Sequence, residues 1–87
     1  MDKKGFISDL ANKLIAGGKT MAGNDLAIEL NLNNFKTDAG DQYKGKRGTY
    51  RLIKSTHDWL YSKKMLTEAN NVALAFPKPN GKYAYNK

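Results

Sequence analysis

No cysteine occurs anywhere in the 87 residues, which excludes disulfide frameworks, thiolate zinc sites and cysteine nucleophiles. Histidine appears once, at His57, with no visible nucleophile for it to activate. Apolar runs are short. None approaches the ~20 residues needed to span a bilayer, and the N-terminal MDKKGFISDLANK breaks up any signal-peptide core with acids and asparagine. A cytoplasmic protein with no membrane partner and no cofactor is therefore expected. Proline is confined to Pro77 and Pro79, and acids are scarce in one half of the chain only. Residues 1–43 carry five lysines against six acids, a net of −1, whereas residues 44–87 carry ten Lys/Arg against Asp58 and Glu68, a net of +8. Surplus positive charge of this kind attracts phosphate backbones or acidic surfaces.

With 40% hydrophobic residues, one Trp, five Tyr and three Phe, the chain has enough apolar material for one small domain, 1–87. Phe6, Ile7, Leu10, Leu14 and Ile15 recur at helical spacing, so residues 4–16 read as a first helix that Gly17-Gly18 stops. Thr20 to Leu32 reads as a second, capped by Thr20 or Asn24, with Leu26, Ala27 and Leu30 as its buried seam. The Asp25/Glu29 pair on its outer side lacks any acid–base or metal partner and reads as a solvated face. Asn31 to Tyr43 is a connection with a short extended piece at 35–37. Phe35 and Tyr43 bracket it, and Asn33 or Asn34 suits a left-handed helix end.

Lys44-Gly45-Lys46-Arg47-Gly48 then leads into a third helix, 49–64, with Thr49 as N-cap. Tyr50, Ile53 and Leu60 form its packing side, joined at the shoulders by Leu52 and Trp59, and His57 lies on that side as a packed residue rather than a base. Arg47, Arg51, Lys54, Ser55 and Asp58 follow another stripe at steps of three and four. One face is thus built to pack and the other to meet a polyanion. The bland reading of such a stripe is a solvated face whose lysines only confer solubility. Lys63-Lys64 also have a purely structural role at the negative helix end. After a turn or short helical extension at 66–71, Val72 to Phe76 and Lys82 to Tyr85 alternate around Asn80-Gly81, the dipeptide favoured in a two-residue hairpin turn. Val72, Leu74, Phe76, Tyr83 and Tyr85 would share one face, the prolines would confine the hairpin to an edge, and Lys78 and Lys82 would flank its tip.

The fold expected is α+β, a three-helix helix-turn-helix core with a C-terminal β-hairpin, in the order of a winged-helix domain. The run Ala27-x-x-Leu30-Asn31, Phe35-x-Thr37-x-x-Gly40, Tyr43 and Leu52-Ile53 resembles the helix-turn-helix stretch in the DNA-binding part of large serine recombinases. It departs from that pattern at Asn34, where glycine is usual, and by the inserted KGKRGT before the third helix. No recombinase catalytic domain is present. The resemblance implies that Lys46, Arg47, Arg51, Lys54 and Ser55 face DNA. Size and style are also similar to small phage- or plasmid-borne accessory proteins.

The function expected is non-enzymatic binding of double-stranded DNA in a regulatory or accessory role. Helix 49–64 would enter the major groove and the wing 72–86 would rest on the backbone. Arg47, Arg51, Lys54 and Ser55 would meet bases or flanking phosphates, and Lys44, Lys46, Lys78, Asn80 and Lys82 would surround them. A single such footprint is small, so a homodimer or a protein partner is compatible with it, although no heptad pattern marks an interface. The alternative is a small phage-type module that binds a host protein or nucleoprotein complex through Tyr50, Trp59, Tyr61, Tyr83 and Tyr85, which requires those rings in one exposed patch. RNA binding ranks third for want of a sheet platform, and a nuclease or toxin last.

Overall fold

The computed structural model describes residues 2–46 and 48–78, which form four helices: α1 (Lys3–Ala16), α2 (Gly23–Leu32), α3 (Thr49–Ser62) and α4 (Leu66–Ala75). Asp2 caps α1 by accepting the Gly5 N–H at 2.7 Å. The helix buries Ile7 and Ala11, with Phe6, Leu10, Leu14 and Ile15 packed partly against the same core, as the spacing predicts. Leu26, Ala27 and Leu30 are the buried seam of α2. Ile53 and Leu60 are buried on α3, together with Thr49 and Thr56. Thr56 tolerates burial because its hydroxyl donates to the Leu52 carbonyl at 2.8 Å.

The α+β expectation is overturned. The described residues are all helical, and where the first strand of a wing was predicted the chain forms α4 instead. The alternation Val72-Ala73-Leu74-Ala75-Phe76 is misleading because alanine suits either face of either element. The helical set Ala69, Val72, Ala73 and Phe76 is present in the same letters, and all four are at most 1% exposed. Alanine and leucine are strong helix formers, and Glu68 lies in the first turn where the helix dipole favours an acid. The predicted turn at Asn80-Gly81, and Lys82, Tyr83 and Tyr85 beyond it, lie outside the described residues.

Helix α4 packs against both α1 and α3, and α2 packs against α3. Asn71 of α4 donates to Asn12 of α1 at 2.9 Å. The Met21 N–H donates to the Ala75 carbonyl at 2.7 Å, which holds the segment before α2 extended and starts that helix at Gly23 rather than Thr20. Neither Thr20 nor Asn24 caps it. A second correction concerns α3, where Gly48 (φ 82°) is the N-cap and Thr49 is buried, its hydroxyl donating to the Lys46 carbonyl at 2.6 Å. The left-handed φ is one that glycine alone adopts without steric cost.

Helices α1, α2 and α3 end alike. The amide two residues past each cap donates back to the carbonyl five residues earlier: Lys19 to Leu14 at 2.8 Å, Phe35 to Leu30 at 2.9 Å and Met65 to Leu60 at 3.0 Å. The left-handed position falls on Gly18, Asn34 and Lys64 respectively, so α3 stops at Ser62, short of the predicted Lys64. Between α2 and α3 the connection is fastened by Asn31, whose side chain accepts the Tyr43 N–H and donates to the Tyr43 carbonyl, both at 2.8 Å. Phe35 packs on Phe6 with ring centroids 5.1 Å apart, so both bracketing aromatics do pin the loop.

At Gly23 the start of α2 lies directly against α3. The Gly23 N–H donates to the Tyr50 hydroxyl at 3.2 Å, and a Cβ there would stand 2.8 Å from the Thr49 hydroxyl oxygen and from the Tyr50 ring. Gly23→Ala is therefore expected to lower unfolding free energy by roughly 1–3 kcal/mol in urea denaturation. Lys64→Gly, which relieves a left-handed non-glycine residue (φ 61°), is expected to raise it by about 1 kcal/mol in the same assay.

Candidate nucleic-acid interface

Burying Ile53, Thr56 and Leu60 turns the opposite flank of α3 outward, and Arg51, Lys54, Ser55 and Asp58 are all exposed along it. From Arg51 to Asp58 the stripe is thus an exposed surface on one helix. Its charges are not equivalent. Lys54 contacts Asp58 one turn later at 2.9 Å, an exposed pair worth about 0.3–0.5 kcal/mol. The Lys54 ammonium, and next the His57 ring at 3.1 Å, hold the Asp58 carboxyl below the usual carboxylate range. His57 is half-buried and also stacks near Tyr61, centroids 6.0 Å apart.

Lys44 and Lys46 are exposed in the segment entering α3. Lys78, expected at a wing, instead follows α4 with its ammonium 5.9 Å from the Tyr50 ring, at the N-terminal end of α3. The other bond of Tyr50 runs to the Pro77 carbonyl, 3.5 Å from the hydroxyl, and ties that tail to α3. Of the remaining predicted residues, Arg47, Asn80 and Lys82 lie outside the described residues.

The surface continues into something that sequence reasoning missed. An open groove of about 780 Å³ lies between α3, the start of α1 and the loop around Asp38. Arg51, Leu52, Ser55 and Trp59 line it from α3, Lys3 and Lys4 from α1, and Thr37 and Tyr43 from the α2–α3 connection. The carboxylates at its edge are Asp38 and Asp2, the second of which caps α1. Lys3 donates to the Lys36 carbonyl and sits 5.3 Å from the Tyr43 ring. The Trp59 indole has the Lys63 ammonium at 4.0 Å and that of Lys4 at 5.9 Å from its ring centre. Exposed cation–π contacts of this kind contribute about 0.5–1 kcal/mol each. Lys3 and Lys4 give no signal in the sequence because residues 1–43 carry a net charge of −1, whereas the fold brings this basic pair to α3.

Among the described residues no cluster of three or more His, Cys, Asp or Glu side chains could hold a metal ion. No helix among them is long and apolar enough to cross a membrane. Comparison with known protein families, curated protein sequences and solved structures finds no match to this chain. The likeness to large serine recombinases accordingly rests on the residues quoted for it alone.

The Lys54–Asp58 geometry has a direct spectroscopic consequence. In Lys54→Ala the Asp58 carboxyl is expected to titrate at higher pH than in the parent protein, read by carbon-detected NMR. Because the folded value is depressed, the small stabilisation from this pair is present above the ordinary carboxylate range and is lost as pH falls through the lowered value.

Proposed function

We propose that this protein binds double-stranded DNA, as a non-enzymatic regulatory or accessory factor, through the exposed cationic flank of α3. The observation that carries this reading is that Arg51, Lys54 and Ser55 are exposed side by side on a helix whose other face is buried. Arg51 supplies a planar donor fork suited to phosphate or guanine edges. Lys54 exchanges its weak contact with Asp58 for a phosphate, and Ser55 adds a hydroxyl. Lys44, Lys46 and Lys78, around the entry to the helix, extend the positive field over neighbouring phosphates. With α4 in place of the first wing strand, the footprint among the described residues is that of one helix and its N-terminal approach.

A second reading, a protein-interaction module, is favoured by a separate observation. Tyr61, Met65 and Leu66, at the α3–α4 corner, are 62%, 40% and 56% exposed. The aromatic patch expected for that reading does not assemble among the described residues, because Tyr50 and Trp59 pack against the core. For this reason DNA binding ranks first.

Fluorescence anisotropy with labelled random-sequence duplex at two salt concentrations tests the proposal. Micromolar binding is expected, with log affinity falling by about 0.9 per unit of log salt for each phosphate contact. Arg51→Ala/Lys54→Ala should abolish most of it, and Asp58→Asn should tighten it by removing a carboxylate from the contact face. Absence of binding at low salt would sink the DNA reading. Capture of a protein partner that is lost in Tyr61→Ala/Leu66→Ala would then support the second.

A further inference from the structure

Resting on the DNA reading, we propose that the groove beside α3 binds an unpaired nucleotide, so that the protein engages single-stranded DNA where it adjoins a duplex. Four observations converge on that ligand. The groove, at about 780 Å³, falls within the size range of small-ligand sites and is far too small for a double helix. Its lining includes Leu52 and the partly exposed indole of Trp59, a flat apolar surface of the kind on which bases stack. Lys3 and Lys4 from α1 and Arg51 from α3 line the same groove and outnumber its carboxylates, Asp2 and Asp38. Ser55 adds a hydroxyl that serves as donor or acceptor to a base edge.

The cations already near Trp59 do not block this use. Lys4 and Lys63 reach the indole on long, flexible stems, and stacking of a base on an indole is a stronger contact than an exposed cation–π pair. A base that takes the ring releases an ammonium beside the phosphate that follows it, so the displaced charge is reused. Bases inside a duplex are stacked on both faces and closed to such contact, so the groove selects unpaired ones. Arg51 lies both on the exposed α3 flank and in the groove. It therefore stands at the junction of the duplex surface and the single-strand surface.

Trp59 is the sole tryptophan and lines this groove, so all tryptophan emission comes from a ring at the proposed site. The experiment titrates the whole protein with a short oligothymidylate, a blunt duplex, and the same duplex bearing a single-stranded thymidine overhang. Anisotropy of labelled DNA and Trp59 emission are read in parallel. The expected result is that oligothymidylate and overhang quench Trp59 in step with binding, while the blunt duplex binds without quenching. The overhang should raise affinity over the blunt duplex by about ten-fold, in line with one stacked base. Trp59→Ala removes that advantage. Lys4→Ala, an alternative that leaves the ring in place, weakens overhang binding and leaves blunt-duplex affinity unchanged. Single strands that bind without changing Trp59 emission, or an overhang that adds no affinity, overturn the groove proposal while duplex binding stands. Quenching by single strands with no blunt-duplex binding overturns the duplex reading and leaves the groove. No anisotropy change with any of the three DNAs overturns both.

Discussion

The packing of α4 between α1 and α3 is the constraint on which the rest of this protein depends. Ala69, Ala73 and Ala75 present almost no side chain, so the helix approaches its neighbours closely, and Val72 and Phe76 fill the space between them. Close packing of small residues leaves little room for adjustment. Once α4 is seated, α3 is held with Ile53, Thr56 and Leu60 inward. Its hydrogen-bonding and cationic side chains are then directed outward by geometry alone. The same seating brings the tail at Pro77 and Lys78 to Tyr50 and ties the start of α2 to Ala75.

A long connection between α2 and α3 looks like a source of disorder, yet three kinds of contact fasten it. Asn31 supplies a pair of hydrogen bonds to Tyr43 that imitates one rung of a β-ladder, Phe35 packs tilted against Phe6, and Lys3 bonds the Lys36 carbonyl. Fixing this loop beside the start of α1 creates the far wall of the groove. A feature that serves folding therefore also defines the surface on which the proposed chemistry depends. Along that groove Lys3, Lys4 and Arg51 outnumber the carboxylates Asp2 and Asp38. Asp2 caps a helix and Asp58 holds Lys54.

Helices α1 and α3 and the buried seam of α2 were legible because their apolar residues recur at a single unambiguous period. The exposed stripe of Arg51, Lys54 and Ser55 was legible for the same reason. The fourth helix was not, because Val-Ala-Leu-Ala-Phe satisfies a period of two and a helical period at once. The nearby Asn-Gly argues for the strand, whereas in the fold the segment packs as a helix against both α1 and α3. Helix ends were less legible than helix bodies. Lys64 takes a left-handed position with no glycine to announce it, and Gly48 rather than Thr49 serves as cap.

By itself the sequence determined the local properties: which segments are amphipathic, where positive charge accumulates, and which side of α3 can be buried. These follow from spacing and side-chain chemistry, both read along one dimension. Only the tertiary structure decided that α4 is a helix and that Lys3 and Lys4 join Arg51 and Trp59 around one groove. The reason is distance along the chain. Residues some fifty positions apart come together only when helices pack, and no periodicity in either segment encodes the partner it will meet.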